Sequence, residues 1–195
     1  MQHNTSWHKG SLIILACLAS ISAGISALAA DDDIAIKKAA PAHRWALTSP
    51  ELVDKQKMPT QYTADGVDLS PPLTWSAPPA ATQTLVIICD DPDAPAGTWV
   101  HWIIYNIAAS SRSLSAAVPP ETALSSGAIQ GTNSFGKVGY NGPSPPPGTP
   151  HHYFFKLYSL DRKLNLAPGA KKAELLKAMQ DHVLSEAKLM VTYGR

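Results

Sequence analysis

Three apolar runs are prominent along the chain, at residues 85–89, 100–107 and 153–160. Each run is continuous rather than alternating and is rich in β-branched and aromatic side chains, which favour extended structure. A short apolar run between polar ends is typical of a strand that is buried on both faces of a sheet. We therefore predict three core strands here, and residues 44–48 predict a shorter first strand.

Prolines and glycines separate these runs and leave little room for helices. Two Pro-Pro pairs, at residues 71–72 and 78–79, exclude helix at those points. Residues 109–130 are rich in Ser and Ala and predict a loop. Residues 131–150 hold five Gly and five Pro, so we expect no regular element there.

One segment, residues 171–190, has the spacing of an amphipathic helix. Its apolar side chains recur every three or four positions, which predicts a helix that packs one face on the sheet. These positions are Leu176, Met179, Val183, Ala187 and Met190. Short strands, Pro- and Gly-rich turns and one late helix together predict a mainly β domain, a β-sandwich with peripheral helices.

The N-terminus has the order of a cleavable secretory signal over residues 1–29. A short positive region ends at Lys9, an apolar run covers residues 11–21, and an A-x-A cleavage site follows at residues 27–29. The alternatives are an uncleaved membrane anchor and a lipoprotein modified at Cys17. The small residues make the run a poor span, and the apolar stretch before the cysteine is short for a lipoprotein.

Cleavage would give a mature chain that starts near Ala30 and is exported to the periplasm or secreted. We expect residues 30–42 to be flexible and residues 43–195 to form one domain. The sequence has 16 Lys and Arg against 15 Asp and Glu, and loss of Lys9 with the signal leaves 15 of each. Such a balance argues against nucleic-acid binding and against docking on anionic lipid. Cys89 would then be alone, which excludes an intramolecular disulfide.

Polar side chains that could hold a ligand follow or precede the three predicted core strands. Asp91 and Asp93 follow the first strand, His101 opens the second, and His151 and His152 open the third. If the strands are neighbours, these residues converge at one rim of the sheet. Each signal alone has a simpler explanation, since Asp-Pro-Asp is often a turn and a lone His is often a core residue. Adjacent strand residues point to opposite faces, so at most one of the two consecutive histidines faces the rim.

Taken together, the ordered motifs of residues 43–195 resemble the phosphatidylethanolamine-binding protein family, in its bacterial Raf kinase inhibitor-like branch. The motifs that carry the resemblance are Tyr62-Thr63-x-Asp65-Gly66, Ser70-Pro71-Pro72-Leu73-x-Trp75, Asp91-Pro92-Asp93-Ala94-Pro95, His101-Trp102, Asn133-Ser134-x-Gly136, Gly139-Tyr140-Asn141-Gly142-Pro143, Pro145-Pro146, Gly148, His151-His152-Tyr153, Leu157-Tyr158-x-Leu160-Asp161 and Tyr193-Gly194-Arg195.

The resemblance implies a Greek-key β-sandwich of two antiparallel sheets, with a rim pocket for phosphate-type anions and the phosphoethanolamine head group. It implies the ligand-binding residues Asp91, Asp93, His101, Gly142, Pro143, Ser144, Pro145, His151 and Tyr153. His152 would point away. The chain departs from the family pattern at Pro147, where many relatives carry Lys, and at Ser144, where many bacterial members carry Cys.

We therefore expect a non-enzymatic binding protein with a regulatory role, without a cofactor or a structural metal. Imidazoles donate hydrogen bonds to phosphate oxygens, more strongly when protonated. The alternative is a protein-directed inhibitor of a protease or kinase, and a homodimer stays open. A hydrolase using Asp91, His101 and His151 is less favoured, because neither G-x-S-x-G nor H-E-x-x-H occurs.

Overall fold

The computed structural model of the chain describes Met1 and residues 45–195. The predicted signal peptide, the flexible mature N-terminus and Cys17 lie outside the described residues. Within residues 45–195, none of the helical structure has the length and apolar character that a membrane span requires.

The described residues form eight strands and one α-helix. In chain order they are β1 (Leu47–Thr48), β2 (Leu73–Trp75), β3 (Thr84–Asp91), β4 (Trp99–Ala108), β5 (Ser113–Leu114), β6 (Ile129–Gln130), β7 (His151–Leu160), α1 (Lys172–Met179) and β8 (Val183–Tyr193). A single 3-10 turn covers Thr60–Tyr62. The three predicted core strands are therefore confirmed as β3, β4 and β7, each longer than predicted by two or three residues.

The strands form two antiparallel sheets, as the predicted fold class requires. The smaller sheet has the order β1-β2-β5 and the larger one β6-β4-β3-β7-β8. Within the larger sheet, β3, β4 and β6 follow one another and β7 returns by a long connection to the free side of β3. This is the strand order of a Greek key.

The central strand β3 of the larger sheet is buried on both faces, which explains its continuous apolar run. Leu85 and Ile87 pack in the core between the two sheets. Val86 and Ile88 face the other way, into a second core that is closed by α1. All eight residues of β3 are buried, including two carboxylates at its end, Asp90 and Asp91. Alternation places these two side chains on opposite faces of the sheet.

The predicted helix over residues 171–190 is wrong in its second half. The helix ends at Met179, Asp181 takes a positive φ of 63°, and β8 then pairs with β7 along its length. Burial in the second part of β8 falls on every second residue, at positions 187, 189, 191 and 193. The helical spacing was fortuitous, because Met190 lies on the opposite face from the buried Leu189.

The predicted loop over residues 109–130 needs correction, because it contains β5 and β6. The Pro-rich stretch before β3, where the sequence excludes helix, contains the strand β2. These strands have two or three residues each, which is too short for a pattern of apolar residues to register. The predicted first strand is also shorter than expected, since it pairs only at Leu47–Thr48.

Candidate binding site

A cavity of about 370 Å³ opens at one end of the larger sheet, where β3 ends and β4 and β7 begin. Antiparallel pairing places Asp91 opposite Trp99, and β7 begins on the other side of β3. Twelve residues line the cavity: Asp91, Ala94, Pro95, Ala96, Trp99, His101, Phe135, Ser144, Pro145, Pro146, His151 and Tyr153.

A β-bulge in β4 turns His101 toward this cavity. Cys89 pairs with Trp102 and Asp90 with Val100, so His101 is an extra residue in β4 without a partner across the ladder. Adjacent residues of a regular strand point to opposite faces, and a bulge breaks that rule. Trp102 can therefore fill the core between the sheets while the neighbouring His101 lines the cavity on the same side.

Asp91 is the buried acid of the cavity, with a side chain that is 5% exposed. One carboxylate oxygen accepts a hydrogen bond from His151 Nδ1 at 2.8 Å, and the other accepts one from the backbone N–H of Asp93 at 2.8 Å. Tyr153 lies close by, and its own burial and then the charge of Asp91 raise the pKa of the Tyr153 hydroxyl. That hydroxyl therefore stays protonated.

His101 is buried and held in one orientation. Its Nδ1 donates a hydrogen bond of 2.6 Å to the carbonyl oxygen of Asn141, since a carbonyl can only accept. The rings of Tyr153 and Phe135 pack edge-on against the imidazole, with centroids 5.2 and 5.5 Å away. Burial lowers the pKa of His101, although the bond to Asn141 and the charge of Asp91 oppose the shift. At neutral pH the ring is neutral, and Nε2 carries a lone pair.

His151 and His152 separate as strand alternation predicts. His151 lines the cavity on the same face as Tyr153, and its Nδ1 is directed at Asp91. His152 lies on the other side, where its ring and its backbone N–H both contact the carboxylate of Asp93 at 2.7 Å. The His152 side chain is 46% exposed.

Three of the residues implied by the family resemblance do not line the cavity. Asp93 lies on a neighbouring groove and is bound to His152. Gly142 packs against the chain at Tyr62, where a Cβ atom would lie 2.5 Å from the carbonyl oxygen. The carbonyl of Pro143 accepts a hydrogen bond of 2.9 Å from the N–H of Ala64. Gly142 and Pro143 anchor the loop whose next residues, Ser144 and Pro145, reach the cavity.

The structure adds an apolar wall that the sequence interpretation missed. Trp99 and Phe135 meet edge to face with ring centroids 5.4 Å apart, and both line the cavity with residues 94–96 and Pro146. Phe135 is 44% exposed, which is unusual for a Phe. A Phe inside a Gly- and Pro-rich loop could have indicated an apolar contact at the site. The loop has no periodicity, however, so the sequence does not predict where this side chain lies.

The charges of the cavity come from carboxylate and imidazole groups. Among residues 45–195, none of those that line the cavity is a Lys or Arg, so the positive charge that these residues supply depends on protonation of the two histidines. Across residues 45–195, His, Cys, Asp and Glu side chains do not gather in a group of three or more that is placed to hold a metal ion. A small cavity with apolar walls and a few convergent polar groups is typical of a small-ligand binding site.

A β-sandwich with a small cavity at the end of one sheet belongs to the class of folds that bind small ligands. Comparison with known sequences identifies the family. A family model described as phosphatidylethanolamine-binding protein matches residues 48–194. The chain belongs to the phosphatidylethanolamine-binding protein family. Membership supports a binding role.

Relatives and solved structures agree with this assignment. The chain is 49% identical over 142 residues to a UPF0098 protein of Methanothermobacter thermautotrophicus, a match that covers 73% of this chain and 93% of the relative. A phosphatidylethanolamine-binding protein homologue from Chlamydia trachomatis superposes with a TM-score of 0.71 at 36% identity, over 77% of this chain and 97% of that one. Escherichia coli YbcL gives a TM-score of 0.71 at 30% identity, over 78% and 99% of the two chains.

Proposed function

We propose that this chain is a non-enzymatic binding protein whose cavity takes a phosphate-type anion, either free or as the head group of a phospholipid. One observation carries the proposal: two imidazoles from different strands, His101 and His151, line the same small cavity beside Asp91. Each ring uses Nδ1 for a hydrogen bond inside the protein. The Nε2 atom is then the remaining polar group that each ring can offer to a ligand.

Protonation of the rings links binding to pH. A neutral imidazole whose Nδ1 carries the proton has an acceptor at Nε2, and an anion requires a donor there. The bound anion therefore favours the protonated rings and opposes the effect of burial on the pKa of His101. Binding takes up protons, so the affinity rises as the pH falls through the histidine range.

The charge balance of the cavity favours a monoanion. With both imidazoles protonated, two positive charges face the one negative charge of Asp91, and the lining residues that the structure describes include no Lys or Arg. The excess of one positive charge matches a phosphodiester, which carries one negative charge, better than a phosphate dianion. Trp99 and Phe135 offer an apolar surface to the organic part of such a ligand.

The side chains near the cavity are poorly arranged for hydrolysis. Ser144 lines the cavity, but its Oγ donates to Asp65 at 2.9 Å rather than to a histidine. A serine nucleophile needs a base within hydrogen-bond reach. This favours binding over catalysis.

Calorimetric titration with glycerophosphoethanolamine and with inorganic phosphate tests the proposal and separates a head group from a free anion. We expect tighter binding at about pH 6 than at about pH 8, and a loss of roughly 10- to 100-fold in affinity for His101→Ala or His151→Ala, the range for a charge-assisted hydrogen bond. His182→Ala is the matched control, because His182 pairs with Asp161 at the opposite end of β7 and β8. Equal affinities for all three variants would contradict the proposal.

We also propose that the ligand is met outside the cytoplasm, on the basis of the predicted signal over residues 1–29. N-terminal sequencing of the native protein should find a start at or near Ala30. An intact Met1 on the native protein would contradict export by cleavage.

A further inference from the structure

Residues 193–195, the last residue of β8 and the two that follow it, contact the loop at residues 144–150, whose first three residues form one wall of the cavity. At one end of the loop, the Nε of Arg195 donates a hydrogen bond of 2.7 Å to the carbonyl oxygen of Pro145. At the other end, Tyr193 pairs with His151 in the sheet. The last residues of the sequence thus contact both ends of the loop.

Asp65 joins this segment to the wall from a third direction. One carboxylate oxygen accepts the Ser144 hydroxyl at 2.9 Å and lies 3.8 Å from Nη1 of Arg195. The other oxygen accepts the Tyr193 hydroxyl at 2.9 Å. The Ser144 hydrogen bond lowers the pKa of Asp65, burial opposes this shift, and Tyr193 and Arg195 lower it further, so the acceptor is ionised at neutral pH.

Between these polar contacts, the segment also packs tightly against the loop. Gly194 lies against Pro150 so tightly that a Cβ atom would be 2.9 Å from the Cα atom of the proline. Consecutive prolines at 145–147 stiffen the wall, because their rings fix φ. Because the loop is stiff, the contacts at its two ends fix the position of the residues between them.

We propose that the segment Tyr193-Gly194-Arg195, joined to Asp65, is a brace that sets the position of the cavity wall at Ser144, Pro145 and Pro146. Tyr193 and Arg195 are then positioning residues for the binding site, although neither lines the cavity. The inference rests on the proposed anion-binding function. It goes beyond that function by assigning part of the affinity to residues outside the site.

The test uses Arg195→Ala and Tyr193→Phe in the full chain, with Arg162→Ala as the matched control, since Arg162 contacts His182 at the other end of β7. Calorimetry with glycerophosphoethanolamine should give affinities roughly five- to tenfold weaker for both variants and unchanged for the control. The melting temperature should change little. NMR order parameters of the amides of Ser144, Gly148 and Thr149, measured without ligand, should fall in both variants.

These two readouts distinguish failure of the brace from failure of the proposed function. If the unmodified protein does not bind the probe and the order parameters still fall, the brace stands as a property of the wall and the anion-binding proposal is wrong. If the unmodified protein binds and the two variants keep both affinity and order parameters, the brace is overturned. Loss of affinity together with an equal loss of order throughout the sheet would also overturn it, because that pattern indicates general destabilisation.

Discussion

Two carboxylates that are neighbours in sequence have different surroundings at the end of β3. Asp90 faces the core under α1, where Lys156 and Lys172 lie 3.3 and 3.2 Å from one of its oxygens. Asp91 faces the cavity, where its partners are His151 and a backbone N–H. Both side chains are almost fully buried, at 1% and 5% exposure.

The difference lies in the partners rather than in the acids. A lysine ammonium keeps its charge at neutral pH, so the cluster at Asp90 is a permanent set of charges enclosed by protein. A histidine can gain or lose a proton near neutral pH, so the cluster at Asp91 can change its charge when a ligand enters. Removal of one partner should therefore cost more stability in the first cluster, and the second cluster is suited to binding.

Asp90→Asn should have the largest effect on stability. The change leaves two ammonium groups beside an uncharged amide under α1, and loss of one partner of a buried ion pair costs about 3 kcal/mol or more. Urea denaturation should report this loss in the free energy of unfolding. Binding of glycerophosphoethanolamine by the folded variant should be unchanged. If the free energy of unfolding fell by less than about 1 kcal/mol, the two lysine ammonium groups would be hydrated in the variant rather than buried without a counter-charge.

His101 should make stability depend on pH. Burial depresses its pKa in the folded state, so as the pH falls below about 6.5 the unfolded chain takes up this proton first. The free energy of unfolding then decreases with falling pH by up to about 1.4 kcal/mol per pH unit, until the depressed pKa is reached. Denaturation from about pH 7.5 down to about pH 5 should show a steeper decline than in His101→Gln. Parallel curves for the two proteins would exclude this role for His101.

Asp91→Asn is the counterpart of the first substitution and should destabilise less, by about 1 kcal/mol. Asp91 has one imidazole and one backbone N–H as partners, whereas two lysine side chains lie beside Asp90, so the substitution disrupts fewer charged contacts. The same denaturation series measures both variants, and calorimetry should find that anion binding changes only in Asp91→Asn. If the two variants lost equal stability, the contrast between the two clusters would be refuted.

His152→Ala should have the smallest effect. Its ion pair with Asp93 is largely exposed, and such pairs contribute about 0.2–1 kcal/mol. We expect a change in unfolding free energy within that range and no change in affinity for the phosphodiester. A large loss of affinity would move the binding site from the cavity to the neighbouring groove.

The sequence predicts the parts of this fold that follow a regular pattern. Continuous apolar runs revealed β3, β4 and β7. Strands buried on both faces need no polar side, which applies to β3 and β4 and to the second half of β7. The same reasoning failed for β8, where apolar residues happened to recur at helical spacing as well as at every second position. Pairing with β7 decides between the two, and pairing is not visible in one segment alone.

The sequence predicted the polar residues of the site but not the apolar residues that form its walls. Strand-end positions and family motifs indicated Asp91, His101 and His151, which the structure brings around one cavity. The position of His101 depends on a β-bulge, and that of Phe135 on a loop without periodicity. Such features are set by the packing of distant segments, so the local sequence does not predict them.

NMR of the imidazole nitrogens during titration with glycerophosphoethanolamine shows whether both cavity histidines bind the anion. With uniformly ¹⁵N-labelled protein near pH 7, the account predicts that the Nε2 signals of His101 and His151 both move toward the protonated form as the probe binds. His182 should not respond. If the probe binds while both cavity histidines keep the nitrogen shifts of the free protein, the anion does not bind to these two imidazoles and the account is wrong.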